Sequence, residues 1–245
     1  KLARDYTFVR RVEERTLGKH GRIERVEART EEVMVLYGRP YERLIEIDGK
    51  PLDPARERAE REKLAKESER RRREFESGEK RRKREAEFEK ERERRRQFLR
   101  EVPDAYGFRL AGEEVIEGRQ CWVIDADPKP GYRPRDERAG KFLTHMRGRL
   151  WIDKDEYEWV RAEAESLDAV SFGWFLARIG KGAQFTFEQK KINDEIWLPR
   201  AIRFRFDARL GMVKSLHREV EISFRDYRKF QSESRVVSTS ELPEP

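Results

Sequence analysis

Few residues in this chain have the type and spacing that chemistry requires. The three histidines His20, His145 and His217 could move protons near neutral pH, but they lie far apart with no metal-ligand spacing, and a surface position is expected for each. Asp153, Asp155 and Glu156 resemble oxygen ligands, yet the rest of a calcium loop is missing, so a hairpin turn is expected there. Gly173 to Lys181 imitates a phosphate loop only superficially: six residues separate Gly173 from Gly180, and Gly182 stands where Ser or Thr is required. The single cysteine, Cys121, excludes an intrachain disulfide and a cysteine-rich metal site, and its apolar setting (Cys121-Trp122-Val123-Ile124) predicts a buried thiol. No Ser or Cys has a nucleophile context. The expectation is a protein without catalytic residues, metal or cofactor.

The elements that would position a binding site are more informative. From Ile196 onward, Ile196, Leu198, Ile202, Phe204, Phe206, Ala208 and Leu210 alternate with Trp197, Arg203, Arg205, Asp207 and Arg209. After Gly211 the pattern returns, with Leu216, Val220, Ile222 and Phe224 against Glu219, Glu221, Ser223 and Arg225. Period-two alternation sends successive side chains to opposite faces, so these are long antiparallel strands, wet on one side and apolar on the other. Such an apolar face must be covered by a helix of the protein or by a ligand. The same reading places strands at Tyr6–Leu17, Ile23–Tyr37, Tyr41–Ile47, Phe108–Ile116, Gln120–Asp125, Leu150–Asp153, Trp159–Leu167 and Ala183–Ile192, with turn signals at Asp48-Gly49 and Asn193-Asp194. Ten or eleven strands without βαβ spacing predict an antiparallel sheet. Lys141–Met146 reads as a short helix and Ser232–Pro245 as a loose tail.

Composition divides the chain unevenly. Its net charge is +7, 44% of residues are charged and the mean hydropathy is −1.03. The insert between Asp53 and Arg100 supplies +6 of this net charge, and 34 of its 48 residues are charged, 20 basic and 14 acidic. Asp53-Pro54 is a helix start, with an N-cap carboxylate followed by proline at the first helical position. Helix formers run on until Pro103, which is expected to end the run. The acid-first pairs Glu57–Arg61, Glu62–Lys66, Glu67–Arg71, Glu69–Arg73 and Glu91–Arg95 would each support the helix by about 0.2–0.5 kcal/mol. Ser77-Gly78 offers a break, favouring a helical hairpin over one long helix. A single domain spanning residues 1–245 with an insertion at 53–102 follows.

Val170–Ile179 is the most apolar window and is too short to cross a membrane. It predicts a helical turn or two, either as a plug in the core or as a lid whose gate residues are Phe172, Trp174, Phe175, Leu176 and Ile179. No stretch approaches the roughly 18 apolar residues of a membrane span. The chain begins at Lys1 rather than methionine, from which removal of an N-terminal segment is expected.

The hairpin Gly148-Arg149-Leu150-Trp151-Ile152-Asp153 with Trp159-Val160-Arg161-Ala162-Glu163 resembles that of LolA/LolB-type outer-membrane lipoprotein-sorting proteins. Phe185–Gln189 followed by Asn193-Asp194-Glu195-Ile196-Trp197-Leu198-Pro199 is similar to the next hairpin of that superfamily, and Tyr6-Thr7-Phe8 and Ile47-Asp48-Gly49 fit an uncharacterised bacterial branch of it. The resemblance implies an α+β, mainly β, fold: an incomplete antiparallel β-barrel that wraps helices, holds acyl chains on its concave apolar face and works in the Gram-negative cell envelope, periplasmic or at the outer membrane. The insert is longer and more charged than the family's helices.

The leading expectation is therefore a non-enzymatic carrier of lipid or lipoprotein acyl chains, with a cavity wall of Phe185, Phe187, Ile202, Phe204, Phe206, Val220, Ile222 and Phe224. The alternative is an interaction module whose residues 53–102 dock on an envelope protein or an anionic membrane surface. Nucleic acid is disfavoured as a partner, because acids are interleaved among the bases and no aromatic platform accompanies them.

Overall fold

A computed structural model of the chain describes residues 6–18, 21–135, 143–172, 177–210 and 214–229. Among the described residues thirteen strands share one antiparallel sheet: β1 (Tyr6–Leu17), β2 (Ile23–Leu36), β3 (Arg39–Ile47), β4 (Lys50–Pro51), β5 (Tyr106–Ile116), β6 (Arg119–Pro128), β7 (Met146–Asp153), β8 (Trp159–Ser166), β9 (Val170–Phe172), β10 (Ala177–Ile179), β11 (Gln184–Ile192), β12 (Ile196–Leu210) and β13 (Lys214–Lys229). Eleven follow one path, β4-β3-β2-β1-β13-β12-β11-β8-β7-β6-β5, while β9 and β10 branch from β12. The ends of that path do not meet, so the sheet is the expected incomplete barrel, mainly β. Asp48-Gly49, Glu117-Gly118 and Asn193-Asp194 all take positive φ at both positions, the turn whose twist matches a hairpin. Asn and Asp tolerate that conformation without glycine. Register shifts at Leu110/Gly112, Trp151/Ile152 and Glu188/Gln189 bend the strands.

The insert joins the two edges of the sheet through α1 (Pro54–Glu76) and α2 (Gly78–Ala105). Asp53 caps α1 as its sequence predicts, accepting from the Ala55 and Arg56 N–H groups. Helix α2 passes Pro103, contrary to expectation, and ends two residues later. Two carbonyls of this last turn accept from Lys129: that of Pro103 from Nζ at 3.2 Å and that of Ala105 from the N–H at 2.8 Å. Of the anticipated i,i+4 pairs, Glu57–Arg61, Glu67–Arg71 and Glu69–Arg73 form. Glu62–Lys66 and Glu91–Arg95 do not; all four side chains are exposed, where an ion pair gains little over its entropy cost.

Arg71 fastens α1 to the sheet. It is 9% exposed, and its guanidinium donates to the carbonyls of Leu36, Arg39 and Pro40 at 3.1–3.4 Å, to Glu67 at 2.5 Å, and lies 5.6 Å from the Tyr41 ring centroid. Hydrogen bonds from Arg70 and then Arg71 hold the Glu67 carboxyl down at about 2. Arg71→Ala is expected to cost about 2–3 kcal/mol. Hydrogen exchange should accelerate across Pro54–Glu76 and leave β11–β13 unchanged.

The core cluster lies at one end of the sheet, where Cys121, Val123, Trp151 and Val160 are buried against Ile116 and Trp197. Cys121 is a fully buried free thiol whose pKa is raised first by that burial. The β7–β8 turn is held from inside. Asp153, fully buried, accepts from Arg119 Nε at 2.6 Å and Nη2 at 3.1 Å and from the N–H groups of Asp155 and Glu156. These are the carboxylates that resembled metal ligands. Asp153 serves the turn and an arginine, and Glu156 binds Lys191 Nζ at 2.6 Å and Trp197 Nε1 at 2.8 Å. Among the described residues no group of His, Cys, Asp and Glu is arranged to hold a metal ion.

Two sequence readings are corrected. The described parts of the apolar window are not helical: Val170–Phe172 and Ala177–Ile179 pair as a two-stranded flap, with Ile179 beside Ala208 of β12. β-Branched and aromatic residues suit that pairing, and the outward reach of β12 beyond β11 supplies its partner. Met146, read as part of a short helix, begins β7. Trp174, Phe175, Leu176, His20 and the 232–245 tail lie outside the described residues.

Candidate functional site

Cross-strand register assembles the apolar face from the backbone upward. Directly paired residues share a face, so pairing traces rows across the sheet. One row runs Phe108, Ala126, Gly148, Ala164, Phe185, Phe204, Val220 from β5 to β13. The row beside it runs Leu110, Ile124, Leu150, Ala162, Phe187, Ile202, Ile222 and on to Val12 of β1. With strands about 4.8 Å apart, seven strands extend roughly 29 Å. That is about twice the length of one acyl chain, which fills half of a hydrocarbon core of about 30 Å.

The eight wall residues expected from sequence all belong to this face. Phe185, Phe187, Ile202, Phe204, Val220 and Ile222 occupy the two rows, and Phe206 and Phe224 flank them on the same strands. Phe185 and Phe204 stack with centroids 5.0 Å apart, and Phe224 meets Phe8 at 5.8 Å. Seven of the eight are half-buried and Phe204 is 37% exposed. At the far end of the rows, Phe108 is 46% and Leu110 61% exposed. These two, with Ile124, Leu150 and Val12, were missed in the sequence reading, although β5 carries the same alternation. On the β1 side the apolar surface ends at charge, where Arg10 donates to Glu31 at 3.0 Å and Arg218 to Glu14 at 3.0 Å.

Beyond the buried Cys121, Val123 and Trp151, which the register places on it, the opposite face is charged and self-neutralising. Its row runs Arg109, Asp125, Arg149, Glu163, Thr186, Arg203, Glu221, Glu13. Arg149 binds Asp125 at 2.7 Å, Arg147 binds Glu165 at 2.7 Å, Arg203 binds Glu188 and Glu221 at 3.0 and 3.1 Å, and Arg15 binds Glu13 at 2.6 Å. The hydrogen bond from Arg149 holds the Asp125 carboxyl, and hydrogen bonds from Arg11 and then Arg15 hold the Glu13 carboxyl, below their ordinary range. Two open clefts of about 650 and 230 Å³ lie here, lined chiefly by these side chains and bordered also by Phe185, Phe204 and Val220. His217 sits on this side too, 2.5 Å from Asp207. Because acid answers base along each row, the face has no surplus to attract a polyanion.

Helix α1 docks by the charged side: its partners Tyr41 and Arg39 lie on the same face of β3 as Arg43, which pairs with Glu32 at 2.7 Å. The apolar rows keep their exposure at Phe108, Leu110 and Phe204. The flap stands at the other end of β12, its base clasped by Ser166, whose hydroxyl donates to the Gly180 carbonyl and accepts from the Ala183 N–H, both at 2.9 Å. Of the expected gate residues, Phe172 pairs with Ala177 and Ile179 is half-buried beside Ala208.

No protein-family model matches the chain, and no curated protein matches it. Among solved structures it is similar to a domain from Vibrio parahaemolyticus assigned to outer-membrane lipoprotein sorting (12% identity over 96% of this chain and 90% of that one, TM-score 0.33). It is also similar to a DUF1329 family protein from Desulfovibrio piger (12%, 92% and 85%, TM-score 0.29) and to a LolA superfamily protein from Nitrosomonas europaea (11%, 96% and 91%, TM-score 0.30). At such identities and TM-scores the fold rests on its own strand order and register.

Proposed function

We propose that this protein binds the acyl chain of a lipid or lipoprotein along its apolar face and carries it, without catalysis, in the cell envelope. One observation supports the reading above the others. Two apolar rows cross seven strands, and Phe108, Leu110 and Phe204 within them remain 37–61% exposed among the described residues. A continuous apolar surface of this extent marks a binding site in a protein whose other surfaces are charged. The cell envelope as the place of action rests on the sequence resemblance of the Gly148–Asp153 and Asn193–Pro199 hairpins. In this reading Phe185, Phe187, Ile202, Phe204, Phe206, Val220, Ile222 and Phe224 line the chain, and Phe172, Trp174, Phe175, Leu176 and Ile179 gate it. The absence of a helix long and apolar enough to cross a membrane among the described residues is compatible with this role.

Lipid extraction and mass spectrometry on protein purified without detergent from bacterial cells test the reading. A stoichiometric acyl species supports it. A lipid-free protein that also ignores added fatty acids and phospholipids contradicts it.

A further inference from the structure

The insert's charge is concentrated at one place. Between Arg70 and Arg84 the chain has nine bases and three acids, so this stretch carries a surplus equal to that of the whole insert. It is also the point where the helices turn back on each other. Ser77 separates α1 from α2, and Arg84 of α2 reaches Glu74 of α1 at 3.1 Å. The β2–β3 turn lies against the same spot, with Arg39 at 3.0 Å from Glu74.

Glu74 is heavily shared. Arg39, Arg70 and Arg84 all lie on its one carboxylate, and Arg71 stands beside them with Glu67. Burial, followed by the charges of Arg84 and Arg71, lowers the pKa of Arg39. One guanidinium donor is left over as well: Arg39 Nε is buried without a hydrogen-bond partner, while Arg84 Nη2 faces Glu74. Around them Arg72, Arg73, Arg81, Arg82 and Lys83 are exposed. Phe75, 48% exposed, stacks on Tyr37 of the turn at 5.9 Å between centroids. Bases surrounding an exposed Phe75 backed by a half-buried Tyr37 match a bilayer interface, where headgroup phosphates lie above the level that rings occupy.

We propose that this tip, the 70–84 turn with Tyr37 beneath it, docks on an anionic phospholipid surface. The inference is independent of the acyl reading, because the tip and the apolar rows share no residue. It also gives the insert a mechanical role, that of holding the sheet beside a membrane.

Flotation of the full chain with vesicles tests this. Vesicles of phosphatidylglycerol and phosphatidylcholine in equal parts should bind the protein, increasingly so as salt is lowered, and pure phosphatidylcholine should not. The double variant Arg82→Glu with Lys83→Glu alters two exposed side chains that make no ion pair among the described residues. It should weaken binding at least thirtyfold, the loss expected for removing two bases near an anionic surface before repulsion of the two new carboxylates is added, with circular dichroism unchanged. Phe75→Ala should weaken binding without altering its salt dependence. Phe204→Asp should leave vesicle binding intact whatever it does to acyl binding. Four results would each overturn the proposal: no binding at low salt, equal binding to pure phosphatidylcholine, full binding by the double variant, or displacement from vesicles by inorganic phosphate or duplex DNA at matched salt.

Discussion

Phe204→Asp should weaken binding of a long-chain fatty acid at least tenfold while leaving the fold in place. Phe204 is the sixth of seven residues in the first apolar row, between Phe185 and Val220, and is 37% exposed. In the empty protein a carboxylate there can still reach water, so the cost to folding is modest. With an acyl chain laid over the row it cannot. Loss of the ring removes about 1.5–3 kcal/mol of apolar contact at most, and desolvating the new charge adds a penalty of the same sign. Since about 1.4 kcal/mol is a factor of ten, the contact term and the desolvation penalty together reach a tenfold loss. The control is Thr186→Asp, on β11 next to Phe185 but facing the charged side. It should change affinity less than about twofold, well under 1 kcal/mol. Titration of both variants with a fluorescent fatty acid checks the pair, and thermal unfolding checks their folds.

Asp153→Asn should destabilise the protein by about 3 kcal/mol, the lower end of the cost of breaking a buried ion pair. The carboxylate is fully buried and answers both Arg119 contacts and two turn N–H groups. An amide of the same shape keeps one acceptor oxygen and turns a donor toward the guanidinium. Glu156, 3.0 Å from Arg119 Nη2, retains part of the attraction, and Arg119 remains stacked 5.1 Å from the Trp197 centroid, so the fold should survive. A pH dependence follows. The hydrogen bond from Arg119, followed by those of the Glu156 and Asp155 N–H groups, holds the Asp153 carboxyl below its ordinary range against the opposing effect of burial. A carboxyl lowered on folding contributes stability that is fully present above its unfolded value of about 3.9 and is lost as pH falls through the lower folded value. Stability of the parent chain should therefore drop below about pH 4, and the Asn variant should show a shallower drop. Denaturant midpoints measured from pH 7 downward read both effects.

The strands were legible because each has one wet and one apolar face. Period-two alternation at Ile196–Leu210 or Phe108–Leu110 fixes the side to which every residue points, and Asn193-Asp194 fixes the register of the next strand. That the eight residues proposed as a wall share one face followed from that rule, and so would the place of Phe108 and Leu110 had it been applied to β5 with equal weight. The flap was less legible. A ten-residue apolar window is consistent with either period, and only the overhang of β12 beyond β11 supplies the strand with which β10 pairs. Helix caps and the Ser77 break are local, so Asp53 and Gly78 announced them. The docking of α1 is not local. Nothing in the run Arg70–Arg73 distinguishes Arg71, buried against the Leu36, Arg39 and Pro40 carbonyls, from its exposed neighbours. The crowding of three arginines on Glu74 arises from the same tertiary contact and has no signature in spacing.

The most direct test of the apolar rows as the binding surface is photo-crosslinking with a fatty acid that carries a diazirine within its chain, followed by peptide mass spectrometry. Labels concentrated on β5, β11 and β12 at Phe108, Leu110, Phe185, Phe187 and Phe204, and competed away by unlabelled fatty acid, are the predicted result. Labels on the charged row at Arg149, Glu163, Thr186 and Arg203, or labelling that competitor leaves unchanged, would contradict it.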